Sequence, residues 1–264
     1  MSLRVTILGC GSSGGVPRIG SMWGKCDPAN AKNRRRRCSI LVEQAGKKGR
    51  TNVLVDTSPD LREQLLSVRC EHLDGVLYTH DHADHTHGID DLRMVTYAMK
   101  KRIDCYFDAP TRESLTGRFA YCFEAKSDAS YPPILTAKDL QPGGTVSIEG
   151  AGGEITATVI PQVHGDIASL GFRFGPIAYS PDVSDMPESS AKLIRGADVW
   201  IVDALRYTSH PSHFSLKQAL AWIDKLKVKR AILTHMTADL DYAALKRELP
   251  PHIEPAFDGM VVEV

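Results

Sequence analysis

Thr79-His80-Asp81-His82-Ala83-Asp84-His85-Thr86-His87-Gly88 packs four imidazoles and two carboxylates into ten residues. The apolar residues 76–79 in front of it read as a buried strand, and residues 90–101 behind it read as a helix. A stretch between two such elements crowds its side chains at one edge of a sheet. His80 and His82 alternate, and Asp84 and His85 lie just beyond. Imidazole and carboxylate together suit borderline divalent ions such as Zn2+ and Mn2+. Ligands this close together can serve two ions only if others arrive from elsewhere in the chain.

Three more arrive, each at a strand end. His164 follows Ala157-Thr158-Val159-Ile160, Asp182 follows Ile177-Ala178-Tyr179-Ser180, and His235 follows Ala231-Ile232-Leu233-Thr234. That recurrence is what a preformed metal site on a rigid sheet edge requires. His87 lies outside the pattern, and His72 and His252 sit in polar or proline-flanked stretches, so these three are expected to bind no metal.

Working outward, residues 38–42 and 52–55 read as strands, and Met1-Ser2-Leu3-Arg4-Val5-Thr6-Ile7-Leu8-Gly9 as a first strand running into a glycine loop. Thr57-Ser58-Pro59 supplies a capping hydroxyl and a first-turn proline, which predicts a helix over 57–68. A second helix follows at 111–122. Residues 145–148, 155–160, 170–174 and 177–179 read as strands. The last third alternates: strand 199–203, helix 215–226, strand 230–234, helix 241–249 and a closing strand 259–264. Such an order suits two packed sheets with helices outside, although other α/β layouts fit the pattern equally.

The bulk numbers narrow the function. With 264 residues the chain is long enough for one large α/β domain or two small ones. Lys+Arg and Asp+Glu both total 32, so no global field draws the protein to nucleic acid or anionic membrane. No apolar run approaches the ~20 residues of a spanning helix, and the N-terminal run is too short for a secretory signal. Six cysteines lie without a framework spacing. The expected location is cytoplasmic, with no disulfides.

The ordered set resembles the metallo-β-lactamase superfamily over nearly the whole chain, through His-x-His-x-Asp-His-x-x-Gly at His80, His82, Asp84, His85 and Gly88. The resemblance implies a single α/β domain over residues 1–264, an αββα four-layer sandwich. It implies two divalent metal ions, Zn2+ or Mn2+, the first on His80, His82 and His164 and the second on Asp84, His85 and His235. Asp182 would bridge them. Asp84 would both ligate and orient a hydroxide held between the ions, which attacks a phosphodiester clamped by both.

His213, 22 residues before His235 and just ahead of a helix, resembles the additional histidine of the phosphodiesterase branch shared by tRNase Z enzymes and PhnP-type cyclic phosphodiesterases. Its implied role is to hydrogen-bond the phosphoryl oxygens or protonate the leaving alkoxide. His210 is a neighbouring candidate for substrate contact. The loop Gly9-Cys10-Gly11-Ser12-Ser13-Gly14-Gly15-Val16-Pro17 also looks like the first-strand loop of these enzymes, which makes Ser12 and Ser13 candidate substrate contacts. Arg206, and the run Arg34-Arg35-Arg36-Arg37, are candidates for meeting a substrate phosphate; a solvated face is the ordinary reading of such a run.

Departures select among relatives. In tRNase Z enzymes a protruding arm for tRNA lies between the third-motif histidine and the bridging aspartate. Here His164 and Asp182 are 18 residues apart, which leaves no room for it. Large nucleic acid is therefore not expected as a partner. PhnP-type proteins can carry an extra zinc on closely spaced cysteines in the first loop, whereas this loop offers Cys26 and then only Cys38. The expected partners are a small phosphodiester or nucleotide substrate, phosphoribosyl 1,2-cyclic phosphate or similar, and a second copy of the chain in a homodimer. Alternatives are an RNA-processing nuclease and a non-catalytic metal- or nucleotide-binding protein.

Overall fold

The computed structural model describes residues 3–125 and 131–264. The first half of the chain supplies β1 (Leu3–Gly9), β2 (Ser39–Gly46), β3 (Gly49–Val55), β4 (Gly75–Leu77), β5 (Ile103–Phe107) and β6 (Leu135–Asp139). The second supplies β7 (Thr145–Gly150), β8 (Gly153–His164), β9 (Ile167–Phe174), β10 (Ile177–Ser180), β11 (Val199–Asp203), β12 (Arg230–Thr234), β13 (Ile253–Pro255) and β14 (Val261–Glu263). Two seven-stranded sheets result, ordered β14-β1-β2-β3-β4-β5-β6 and β13-β12-β11-β10-β9-β8-β7. In each sheet antiparallel pairing gives way to parallel pairing, at β3–β4 in one and β10–β11 in the other.

Side-chain alternation builds the layers. Val5, Ile7, Ile40, Val42, Val53 and Val55 face the second sheet and join one core with Val159, Phe172 and Tyr179. Their neighbours Leu8, Leu41, Leu54, Val76 and Tyr78 face the other way, against helices. Those helices are α1 (Leu61–Ser67), α3 (Leu92–Met99), α4 (Ala109–Arg118) and α5 (Ala120–Phe123), with the short α2 (Ala83–Thr86) inside the histidine motif. The second sheet is covered by α6 (Glu188–Ile194), α7 (Leu216–Leu226) and α8 (Tyr242–Glu248), which bury Ala191, Ile194, Ala219, Ile223 and Leu245. Val199, Trp200, Ile201, Val202 and Asp203 are buried on both faces, as a parallel strand between helices and a second sheet must be. The architecture is the αββα sandwich.

Several boundaries differ from the sequence reading. The helix expected at 57–68 begins at Leu61. Thr57 spends its hydroxyl on Tyr78 Oη at 3.0 Å and Thr86 O at 3.2 Å, so it ties two segments together and does not cap. Ser58 closes a turn by accepting at its backbone O from Leu61 N, 2.9 Å. The helix expected at 111–122 breaks at Phe119, whose φ −121°, ψ 36° is not helical. Strands β5, β6 and β13 and helix α6 had no clear signal in the sequence. No helix among the described residues is long and apolar enough to cross a membrane.

Candidate metal centre

The C-terminal ends of strands from both sheets meet along one edge, where open α/β sheets generally place their ligands. β4 runs on through Tyr78 and Thr79 into His80. β8 ends on His164, β10 is followed by Asp182, and β12 by His235. His235 adopts a left-handed φ of 56°, a turn that non-glycine residues seldom make, and this bends the chain sharply at the strand end. Gly88 is the other backbone requirement of the motif: a Cβ there would lie 2.0 Å from Ser58 O.

All seven candidate ligands are brought together. Nitrogen and oxygen atoms of His80, His82 and His164 lie within 4.8 Å of one another, as do those of Asp84, His85 and His235. Asp182 stands between the groups and divides its oxygens. Oδ1 lies 3.0 Å from His85 Nε2 and 3.4 Å from His235 Nε2. Oδ2 lies 3.6 Å from His164 Nε2 and 3.9 Å from His80 Nε2. Asp84 Oδ2 is 3.4 Å from His235 Nε2 and 3.5 Å from His85 Nε2.

The donor set fits divalent cations. His80 Nε2, His85 Nε2 and Asp182 Oδ1 are buried and make no hydrogen bond, although the latter two approach to 3.0 Å without hydrogen-bond alignment. Buried polar atoms in that condition call for a partner. His164 Nε2 faces His82 Nδ1 at 3.3 Å, a contact that needs a proton between the rings or a cation shared by both lone pairs. The outward-facing nitrogens of His85, His80 and His164 are satisfied, which fixes those rings, while His235 Nδ1 is buried without a hydrogen-bond partner. His85 Nδ1 donates to Asp56 Oδ2 at 2.7 Å, His80 Nδ1 meets Thr79 Oγ1 at 3.0 Å, and His164 Nδ1 donates to Ser212 O at 2.5 Å.

Electrostatics follow from these distances. Burial alone would lower His85, but Asp182, Asp84 and Asp56 together hold it well above the ordinary imidazole value. Burial would raise Asp84 and Asp182; His85 and His235 outweigh it and keep both carboxylates below their ordinary range. Burial pulls His164 down to about 4 against the opposing charge of Asp182. A divalent ion takes the place of the protons that such a cluster otherwise shares.

His213 lies at the same edge, Nε2 3.8 Å from Asp182 Oδ2, with its ring stacked 4.7 Å from that of His235. Its Nδ1 is 2.7 Å from Asp203 Oδ2. Burial, reinforced by Asp182 against the pull of His235, pushes Asp203 up, and burial pulls His213 down. Asp203 and Asp56 were both missed as site residues. Each ends an apolar strand, Val199-Trp200-Ile201-Val202-Asp203 and Val53-Leu54-Val55-Asp56, and so carries the same strand-end signal that marks Asp182.

A cavity of about 340 Å³ opens beside His213 and His235, and Ser12, Ser13, Arg206 and His210 line it. Arg18, unremarked in the sequence, lines it too. The arginine run does not reach it. Arg35 is 2% exposed and donates to Thr237 O and Leu240 O, Arg36 pairs with Asp258, Arg37 pairs with Asp60, and Arg34 covers the Trp23 ring. Arg35, Arg36 and Arg37 hold the long first loop to the last third of the chain and to the start of α1, so the run does not line the cavity beside the metal centre. His87 is exposed against the Phe119 ring.

A family model described as a β-lactamase superfamily domain matches residues 51–236, and the chain belongs to that family. Within it, the chain has the metallo-β-lactamase fold and is related to the PhnP family. A solved diphosphatase of the PhnP family superposes with a TM-score of 0.88 at 33% identity, covering 100% of this chain and 98% of that one. The short form of human tRNase Z shares the fold with a TM-score of 0.65 at 18% identity, covering 98% of each chain. A protein of Porphyromonas gingivalis (strain ATCC BAA-308 / W83) named octanoyltransferase is 30% identical over 264 residues, 98% of this chain. The match spans 51% of that longer protein.

Proposed function

We propose that this chain, acting as a single hydrolase domain, is a dinuclear-metal phosphodiesterase that hydrolyses a small cyclic or nucleotide-like diester such as phosphoribosyl 1,2-cyclic phosphate. The observation that carries this reading is the division of Asp182: one oxygen faces His85 and His235, the other faces His164 and His80. On this reading His80, His82 and His164 would hold one ion and Asp84, His85 and His235 the other, with Asp182 placed to serve both. Two divalent ions bound there would supply Lewis acidity toward the phosphoryl oxygens and a water acidified for attack.

The chain's own residues do the remaining work. Asp84, fixed between His85 and His235, orients the attacking water. His213 faces the reacting group through Nε2 and gives a proton to the departing oxygen as the P–O bond breaks. Asp203, behind Nδ1, holds that ring in orientation and offsets the charge it gains or loses. Every one of these groups comes from a single chain. The neighbouring cavity of about 340 Å³ suits a small ligand.

The PhnP-family diphosphatase supports a substrate with a small phosphoryl centre. An RNA-processing activity is the second reading, supported by the shared fold with tRNase Z. It is the weaker one, because the interval from His164 to Asp182 is filled by the β9–β10 hairpin and leaves no arm to grip RNA. Octanoyl transfer is a name given to a protein about twice as long, and no group in this site calls for an acyl donor.

The test is a screen of Mn2+- or Zn2+-loaded protein against bis(p-nitrophenyl) phosphate, 2′,3′-cyclic nucleotides and phosphoribosyl cyclic phosphate. The expected result is turnover of small diesters that chelation abolishes and metal restores. Metal-loaded protein inert toward all of them contradicts the assignment.

A further inference from the structure

His80, His85 and His164 are each oriented by a hydrogen bond on the far side of the ring. His82 differs. It is exposed, and among the described residues its ring meets only the rings of His80 and His164. No group outside the ligand set orients it, so its place has to come from the backbone. After it, His82 O accepts from Thr86 Oγ1 at 2.9 Å and from His85 N at 3.1 Å. Before it stands Asp81.

The last turns of α4 grip Asp81. Arg118 Nη2 donates to Asp81 O at 2.6 Å and lies 2.8 Å from Asp81 Oδ2, to which Ser114 Oγ donates at 2.6 Å. Ser114 and Arg118, four residues apart, share one helix face. The helix stops there: Phe119 leaves helical geometry and sets its ring against His87. Two consecutive residues at the α4–α5 junction thus bracket the ligand segment, one at Asp81 and the other at His87. The second ligand group is anchored elsewhere, since His85 O accepts from Thr57 N at 2.8 Å and the His85 ring is held by Asp56. His80 and His82 flank the gripped residue, and both belong to the group completed by His164.

We propose that Arg118, assisted by Ser114, is a positioning residue of the metal centre, which fixes Asp81 and through it sets His82 toward an ion on the His80–His82–His164 group. This role rests on the dinuclear reading above and adds to it the residue that holds its exposed ligand. Without the grip the loop keeps a freedom that metal binding must then remove. Affinity falls at that group and not at the one anchored to Asp56 and Thr57.

Titration of metal-stripped protein with Zn2+ against a chelating dye, read in two phases, tests this. His82→Ala identifies the phase that belongs to its group. Arg118→Ala should weaken that phase by about tenfold, the lower end of the cost of losing an outer support, and leave the other phase at its wild-type value. Arg118→Lys, which keeps the charge with fewer donors, should recover part of the loss. Asp81→Ala should reproduce the effect, and the double variant should lose little more than either alone, as partners in one contact do. Both phases unchanged, or both weakened alike, overturns the proposal, because the grip is then a plain surface contact or a support of the whole fold. Should Arg118→Ala not fold, Ser114→Ala and Arg118→Lys are judged by the same criterion. If wild type binds a single ion and both His82→Ala and Arg118→Ala weaken it, the positioning role stands and the two-metal reading falls.

Discussion

His213 Nδ1 and Asp203 Oδ2 lie 2.7 Å apart, and the ring thus held presents Nε2 to Asp182 at 3.8 Å. Asp203 ends β11 and is fully buried, so the ring is aimed by a rigid strand and has no freedom to swing. If His213 protonates the departing oxygen, its contribution belongs to the transition state. His213→Ala should then lower kcat by about 10²–10⁴-fold with metal content retained. The loss should shrink with p-nitrophenolate, which leaves with little help from a proton. Metal analysis and kinetics on both substrate types check this; an emptied metal site in His213→Ala would refute the role.

Asp56 aims His85 in the same manner. Its Oδ2 accepts from His85 Nδ1 at 2.7 Å and from Thr79 Oγ1 at 2.8 Å. Asp56→Ala should weaken binding at the Asp84–His85–His235 group by about 10–100-fold, the usual cost of losing such a support. Competition with a chelating dye, read in two phases, distinguishes this from loss at both groups.

Arg35 is a structural residue. Its guanidinium is buried and donates to Thr237 O at 2.9 Å and Leu240 O at 2.6 Å. Arg35→Met removes a charge-assisted hydrogen bond from each of two buried carbonyls, which then keep only Leu240 N at 3.3 Å and Cys26 Sγ at 3.5 Å, and should cost about 2–4 kcal/mol of stability. A denaturant midpoint equal to wild type would show that the loop is held by other contacts.

Substrate size gives a fourth expectation. The chain between His164 and Asp182 is occupied by β9 and β10, so small diesters should be cleaved while precursor tRNA is not. Accurate trimming of a precursor tRNA would favour the nuclease reading.

The sequence made the clustered histidines and aspartates legible because metal chemistry calls for rare residue types at the ends of apolar strands. The same signal stands at Asp56 and Asp203, but a lone aspartate after Val55 or Val202 also reads as an ordinary strand terminus. Arg18 left no trace, since only the turn that pairs it with Met22 and the space over Gly14 bring it to the cavity. Thr57-Ser58-Pro59 misled for a physical reason: the Thr57 hydroxyl is used for tertiary contacts to Tyr78 and Thr86, while Ser58 Oγ accepts from Asp60 N and donates to Gln64, which makes a local turn ahead of the helix. β5 and β6 were hidden because Ile103-Asp104-Cys105-Tyr106-Phe107 and Leu135-Thr136-Ala137-Lys138-Asp139 are short, and the second is mostly polar, a pattern that loops share. The Arg34–Arg37 run shows the limit of composition, which counts charges but cannot locate Thr237 O or Asp258.

The central claim is that Asp182 joins two ions. Diffraction from metal-loaded crystals, with anomalous data collected at the absorption edge of the metal, tests it directly. Two anomalous peaks about 3.5–4 Å apart are expected, one on each side of Asp182, with Oδ1 on the His85–His235 side and Oδ2 on the His164–His80 side. A single peak, or an Asp182 carboxylate turned away from both, would contradict it.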